Sequence, residues 1–377
     1  MKIAVLGAVG SMAIECTRDL VKTVEFDEAI LADQNIDLLQ KLAEEMNDSR
    51  ITIVQLDASN QNQLENIMDG CDLFINGMPS QFSPGVLDVA IKLRISGIDI
   101  TGLVNMFDYD QRAKDAGIIV VAGVGCTPGI TNVLAKYGSD RLDEVDTITI
   151  SFAAWRPIAM SPGLVDFTIW ALSPTTPERC YYEGGKFIPA PPFSEAREID
   201  FMDPIGKQRV YCLPHQGTIT IPKYIKCRKM VTLGTYPVDD MELFRYLSKY
   251  GFMEETPRAD GVVPLEFVRS HLKIVPEARE VDFWHYALVV EVEGWKDNKK
   301  LTHCLAASHP SMDSWGGQSV YAKFTGIPLS VGSQMLAKGK IKGMGILAPE
   351  TCIPPKGFIN CLKERGLIFD FVEKELN

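Results

Sequence analysis

The chain has 377 residues, with 38 basic against 49 acidic side chains, a formal charge of −11 and an apolar fraction of 46%. That length implies two domains or three, with room for a sizeable core, and the acidic balance argues against binding to a nucleic-acid backbone. So even and apolar a composition excludes disorder over most of the chain, and no apolar run reaches the roughly 20 residues that a membrane-spanning helix needs.

The first residues resemble the start of a signal peptide, but Glu15, Arg18 and Asp19 follow too soon for a hydrophobic core and cleavage site. The nine cysteines are odd in number, lack C-x-x-C spacing and sit in apolar segments. They are expected to be free thiols in a reducing cytoplasm. The five histidines form no H-E-x-x-H or similar cluster, so no metal site is expected.

In chain order, the first 125 or so residues alternate short β-rich runs with amphipathic stretches. Strands are predicted at 2–6, 28–32, 51–55, 73–76, 97–101 and 118–124, with helices at 11–23, 36–46, 61–68 and 85–96. This is the grammar of βαβ units on a doubly wound, Rossmann-type parallel sheet of the α/β class. From about Val145 the pattern changes. Strands are predicted at 146–152, 209–212, 218–221, 230–233 and 283–293, around a long proline-rich irregular stretch at 161–194. A second α+β domain with a largely antiparallel sheet is expected. Helices are predicted at 330–338 and 358–365.

Immediately after the first strand comes Gly7-Ala8-Val9-Gly10-Ser11-Met12-Ala13, opening a helix. A turn without Cβ atoms lets backbone approach a pyrophosphate at the helix N-terminus, so Gly7, Val9, Gly10, Ser11 and Met12 are predicted to bind a dinucleotide. Asp33 stands 20 residues past Ala13, at the end of the second strand, where an acid accepts hydrogen bonds from the adenine ribose. An acid there repels a 2′-phosphate, so NAD is favoured over NADP. Asp57 and Ala58 end the third strand, placed to face the adenine, although an acid there equally serves as a cap. Asn76, Gly77, Met78 and Pro79 follow the fourth strand, at the edge where an open α/β sheet binds its ligand; they are expected to contact the nicotinamide ribose.

Further along, Gly123-Val124-Gly125-Cys126-Thr127-Pro128-Gly129-Ile130-Thr131-Asn132 forms a Gly-x-x-Pro-Gly-x-x-Asn junction. Near the end stand Thr325-Gly326, Gly339, Gly343, Gly345, Pro349-Glu350 and Arg365-Gly366, and between them Pro214-His215-Gln216-Gly217-Thr218-Ile219-Thr220-Ile221-Pro222. With these motifs the chain resembles the saccharopine dehydrogenase-like oxidoreductases over nearly its whole length, lysine 6-dehydrogenase and its relatives most closely. The resemblance implies hydride transfer between a nicotinamide and the carbon of a CH–NH bond in an amino-acid-like substrate. It also implies that the tail returns to the first domain. Residues 1–128 are expected to bind NAD(P), 129–335 to bind substrate and dimerise, and 336–377 to complete the first domain.

Three residues are candidates for the chemistry. Asp99 lies inside an apolar strand pattern, where an acid is costly unless it is hydrogen-bonded or functional. It either positions the nicotinamide or a substrate amine, or anchors a structural network. His215, in the His-centred segment, is the candidate general acid/base, because imidazole titrates near neutrality. Arg156 in Trp155-Arg156-Pro157 is placed to clamp a substrate carboxylate. Cys126 is expected to line the pocket. The leading expectation is oxidative deamination to an imine, as in lysine 6-dehydrogenase, by a cytoplasmic homodimer that binds neither nucleic acid nor membrane. The alternatives are NADPH-dependent reductive condensation of the saccharopine or carboxynorspermidine type, and a non-catalytic NAD-binding regulatory protein.

Overall fold

The computed structural model describes residues 1–102, 104–275, 281 and 283–376. The chain forms two compact units, one of Met1–Tyr137 with Ala322–Gly366, the other of Gly138–Tyr321 with Leu367–Asn377.

The first unit opens with β1 (Lys2–Leu6), α1 (Ala13–Thr23), β2 (Glu28–Asp33), α2 (Ile36–Met46), β3 (Ile51–Gln55), α3 (Gln61–Met68), β4 (Leu73–Asn76), α4 (Ser83–Leu93), β5 (Ser96–Asp99), α5 (Asp110–Ala116) and β6 (Ile119–Ala122), before α6 (Ile130–Ser139). Strands such as Ile3–Leu6 and Leu73–Asn76 are buried on both faces, as continuous apolar runs require when helices cover a parallel sheet on both sides. Asn35 and Asn60 cap α2 and α3 by accepting from backbone amides, which satisfies donors the helix itself leaves open.

The second unit begins with β7 (Glu144–Trp155), α7 (Pro162–Leu172), β8 (Cys180–Glu183), β9 (Lys186–Pro189), β10 (Arg197–Asp200), β11 (Lys207–Cys212), α8 (Gln216–Tyr224), β12 (Lys229–Thr235), α9 (Val238–Lys249) and α10 (Pro264–Leu272). A long hairpin of β13 (His285–Lys296) and β14 (Lys299–Ser308) follows, then α11 (Met312–Trp315) and α12 (Val320–Ala337). The chain then adds β15 (Gly345–Leu347), α13 (Pro349–Cys352) and α14 (Pro355–Glu364) to the first unit and ends in β16 (Ile368–Glu375).

The first sheet has seven strands in the order β15-β6-β5-β4-β1-β2-β3, and all are parallel. This is the Rossmann order with one strand added by the returning tail. That return is held by polar contacts inside the first unit. Arg365 pairs with Asp19 at 2.8 Å, Ser330 donates to the same carboxylate at 2.7 Å, and Asn132 donates to Glu350 at 2.8 Å. Gly326 allows the approach of α12 to α1, because a Cβ there would lie 2.4 Å from the Met12 carbonyl oxygen.

The second sheet runs β10-β11-β12-β7-β13-β14-β16, with the β8–β9 hairpin attached to β12. Only the β12–β7 pair is parallel among its described ladders.

Three expectations need correction. Residues 218–221 are not a strand but the first turns of α8. Their Thr-Ile-Thr-Ile alternation favours a strand, but His215 caps a helix there, accepting from Gly217 N–H at 3.0 Å, and tertiary packing overrides the propensity. The proline-rich stretch at 161–194 is ordered as α7 and the β8–β9 hairpin: Ser161 supplies the N-cap and Pro162 the first helical position. The tail does not stay with the first unit, because β16 pairs with β14 in the second sheet.

No helix among the described residues is long and apolar enough to cross a membrane. None of the nine cysteines is joined in a disulfide among the described residues.

One buried polar cluster in the second unit bears on stability. The rings of His285 and His309 lie 4.1 Å apart. His309 accepts from Tyr286 N–H at 3.0 Å, so its other nitrogen donates to the Pro310 carbonyl at 2.7 Å. Ser308 gives its proton to the Tyr286 carbonyl and so accepts from His285 at 2.7 Å. His309, accepting on one nitrogen and donating from the other, is therefore neutral. Burial pushes His285 down to about 3, with His309 adding to the effect, and burial pushes His309 down to about 4. The unfolded chain takes up two protons near its ordinary histidine pKa, whereas the folded chain takes them up only at much lower pH. Stability from this pair is complete above about pH 6.5 and is lost as the pH falls towards 4, by up to about 2.7 kcal/mol per pH unit for the two groups. Urea unfolding across that range should show the slope, and the His285→Asn/His309→Gln variant should flatten it; equal slopes in both proteins would contradict the assignment.

Candidate active site

The glycine turn, Asp33, Asn76–Pro79 and Asp99 all stand at the carboxyl edge of the first sheet, where β1 and β4 lie side by side and the strand order reverses. Gly7 turns the chain with φ +74°, and both its N–H and that of Ala8 bond to the Ala32 carbonyl. A Cβ on Gly77 would lie 2.4 Å from the Ala13 Cβ, so glycine at that position lets the loop after β4 close against the start of α1. The turn thus brings Gly10, Ser11 and Met12 to the mouth of α1. Met12, at the N-cap, has no side-chain cap, and neither its amide nor that of Ser11 bonds to any described residue. Open amides at the positive end of an eleven-residue helix, beside a turn without Cβ atoms, fit a pyrophosphate. The residues present therefore suit a dinucleotide.

Asp33 accepts from Val9 N–H at 3.3 Å on one oxygen and from Asn35 N–H at 3.1 Å on the other. These two bonds fix the carboxylate beside the glycine turn and leave lone pairs for ribose hydroxyls. Asp57 is exposed and accepts from both the amide and the hydroxyl of Ser59, at 3.0 and 2.6 Å. Those bonds hold its carboxyl below the usual carboxylate range and make it a turn anchor ahead of α3. Ala58 beside it packs on the core.

Asp99 sits in a network the sequence did not disclose. One oxygen accepts from Asn76 at 2.6 Å and Ser83 at 2.8 Å. The other accepts from the amide and the hydroxyl of Thr101, both at 2.7 Å. Burial raises its pKa, and these hydrogen bonds pull the other way. Asn76 in turn accepts from Met78 N–H at 3.2 Å. Asp99 thus shapes the Asn76–Pro79 loop through Asn76. The serine and threonine that complete the network lie 16 positions before it and 2 after, spacings that carry no motif. Cys126 is buried, with its sulfur 3.2 Å from the Thr325 hydroxyl.

In the second unit, Arg156 directly follows β7 and is 1% exposed. Its guanidinium donates to the Pro157 carbonyl at 3.0 Å and to the Thr168 hydroxyl at 2.9 Å. The rings of Tyr236 and Tyr321 flank it, with centroids 5.3 and 5.4 Å from Cζ. Its buried Nε–H has no acceptor among the described residues. No carboxylate of the described residues hydrogen-bonds or pairs with it, and a buried cation left so is costly. Half-buried Asp240, at the start of α9, is the nearby acid. Burial pushes its carboxyl up to about 6, while Arg156 pulls it down and Asp239 pushes it up. Neither the flanking tyrosines nor Asp240 could be found from sequence, because they reach Arg156 only through the fold. His215 is 7% exposed, and its Nδ1 is occupied in capping α8. No cluster of three or more metal-ligating side chains occurs among the described residues.

Two family models cover this geometry: the saccharopine dehydrogenase NADP binding domain matches residues 3–121, and the saccharopine dehydrogenase C-terminal domain matches residues 125–367. The chain belongs to the saccharopine dehydrogenase family. As a member of the saccharopine dehydrogenase family it is an NAD(P)-dependent oxidoreductase, with the Rossmann unit as its cofactor domain. Among its relatives, carboxyaminopropylagmatine dehydrogenase of Synechocystis is 22% identical over 97% of this chain and 96% of the relative. Carboxynorspermidine synthase of Vibrio alginolyticus is 21% identical over 81% of this chain and 78% of the relative. The fold matches apo saccharopine dehydrogenase (L-Glu forming) of Saccharomyces cerevisiae with a TM-score of 0.72 at 16% identity, over 98% of this chain and 99% of that one. It also matches homospermidine synthase of Legionella pneumophila, solved with NAD, with a TM-score of 0.63 at 11% identity, over 98% and 91%. The family expectation stands; these relatives are not lysine 6-dehydrogenases, and the likeness they show is to the family rather than to that enzyme in particular.

Proposed function

We propose that this oxidoreductase joins an amine to a carbonyl-bearing amino acid by reductive condensation, forming a secondary amine at the expense of reduced nicotinamide. The observation that carries this reading is Arg156, a buried guanidinium with an unmatched Nε–H that no carboxylate among the described residues hydrogen-bonds. A substrate carboxylate supplies the missing acceptor and charge in a bidentate geometry that only arginine offers. The names of the relatives support the same class, since a carboxyaminopropylagmatine is an amino-acid end joined to a cationic amine.

The nicotinamide, when bound, supplies the hydride that reduces the imine carbon. The chain's own tasks are placement and charge. The open amides of Ser11 and Met12 receive the pyrophosphate, and Asp33 accepts from the adenine ribose, which favours NADH over NADPH. The Asn76–Pro79 loop, held by Asp99, faces the nicotinamide ribose. Arg156 fixes the carboxylate end of the carbonyl partner, and Asp240 attracts the ammonium or guanidinium end of the amine. His215 remains a proton-handling candidate only through Nε2, since Nδ1 serves as a helix cap.

Asp240 gives a pH signature. It is charged above about 6 and neutral below, so affinity for the cationic amine should fall as pH drops through that value. Asp240→Asn should raise KM for the amine by about tenfold, the loss of one ion pair of roughly 1–1.5 kcal/mol, leave KM for the carboxylate partner unchanged and remove the acid limb. Equal effects on both substrates would refute the assignment. Mass spectrometry of a complete reaction should find the secondary amine; recovery of the unreacted amine and carbonyl compound alone would refute the condensation.

A further inference from the structure

β7 and β12 run side by side and parallel, with Thr235 in register with Ala153. The residues that leave their carboxyl ends, Arg156 and Tyr236, therefore emerge together. Tyr236 is 2% exposed. The Phe152 ring packs against its ring edge-on, with centroids 6.3 Å apart, and the Arg156 guanidinium stands over it. A ring held from two sides fixes where its oxygen sits.

That oxygen is buried and has no hydrogen-bond partner among the described residues. Arg156 and Thr168 stand close enough to pull on its titration, yet neither meets it in hydrogen-bonding geometry. Thr168 gives its own proton to the Leu164 carbonyl and accepts from Arg156. Burial, the larger effect, pushes the Tyr236 hydroxyl well above its ordinary pKa, so it keeps its proton and serves as a donor.

Two buried donors are thus open at one place, Arg156 Nε–H and Tyr236 O–H. A buried donor left unmatched is costly, and phenylalanine would fill the same space against Phe152 without that cost. A water molecule accepts from such donors but must place two hydrogens of its own, and it brings no charge to the buried cation. A carboxylate brings two oxygens with about four lone pairs, and the missing negative charge.

We propose that Tyr236 is a second carboxylate-binding residue of the substrate site, its hydroxyl donating to one oxygen of the carboxylate that Arg156 holds. This rests on the reading that Arg156 receives the carboxylate of the amino-acid partner. The lone pairs admit the arginine fork and the tyrosine together. The pair selects a free carboxylate: an amide sets N–H groups where an acceptor oxygen is needed, and an ester lacks the charge.

Calorimetric titration of the full chain, saturated with NADH, with L-2-aminobutyrate tests this. The probe is an amino acid without an aldehyde or ketone, so no turnover intervenes. Tyr236→Phe keeps the ring and should raise Kd for aminobutyrate by about 10–100-fold, as loss of a hydrogen bond to a charged group predicts. It should leave Kd for NADH unchanged, hold or raise Tm, and shrink the preference for aminobutyrate over L-2-aminobutyramide. A tyrosine of purely structural use would give a lower Tm and an unmoved Kd for aminobutyrate. That result, or no binding by the wild-type chain, would overturn the proposal. Arg156→Met in the same titration keeps the two readings apart. A Kd raised by that change but not by Tyr236→Phe would remove the tyrosine and leave the arginine, whereas NADH consumption bears on the condensation alone.

Discussion

Replacing Arg156 with methionine is expected to lower kcat/KM by about 10²–10³-fold while the fold survives. The side chain's volume and apolar stem are kept, and its charge is lost. Removing one member of a buried hydrogen-bonded charge pair costs roughly 2–5 kcal/mol, and the middle of that range gives the stated factor. Stability moves the other way. Since no carboxylate among the described residues hydrogen-bonds Arg156, and burial already holds the nearby Asp240 carboxyl up at about 6, the apolar replacement spares the folded protein a desolvated cation, and Tm should hold or rise. Arg156→Lys keeps the charge but loses the planar fork, and should recover only part of the activity. A purely structural arginine would give the opposite pattern, with a lower Tm and unchanged kcat/KM in the protein that remains folded.

The second large effect is expected at Asp33. Its two oxygens hold the amides of Val9 and Asn35, and in the cofactor complex they accept from the adenine ribose. Asp33→Ala should raise Kd for NADH by about 10–100-fold, the loss of charged hydrogen bonds worth roughly 1.5–3 kcal/mol. NADPH, freed from an opposing carboxylate, should lose far less or gain. The ratio of the two affinities therefore isolates the ribose contact from any loosening of the glycine turn, which would weaken both cofactors alike. Fluorescence titration with each cofactor measures it, and an unchanged ratio would show that Asp33 does not discriminate between them.

The first unit was largely legible in the sequence, because a parallel sheet covered on both faces writes itself as continuous Ile, Val and Leu runs. The glycine turn, Asp33 and the strand ends stand where local pattern puts them. What could not be read depends on contacts between distant segments. Asp99 was ambiguous in sequence, since an acid in an apolar strand is either functional or satisfied, and only the approach of Ser83 and Thr101 shows its four donors. The segment at 218–221 misled because β-branched alternation is a strand signal, whereas His215 and Thr218, bonded to Thr232 at 2.9 Å, commit it to a helix. The strands β14 and β16 escaped notice because their faces are half-exposed and mixed in polarity, so they carry little alternation. Arg156 was found as a residue, but its aromatic flanks and unmatched Nε–H belong to the fold alone.

The most direct test of the proposed chemistry is the absorbance of reduced nicotinamide when the protein is given NADH with an amine and a carbonyl-bearing amino acid, each alone and then together. The condensation reading expects NADH consumption only with both substrates present. NAD+ reduction by a lysine-like amine alone, with no NADH consumption by any pair, would contradict it and return the enzyme to oxidative deamination.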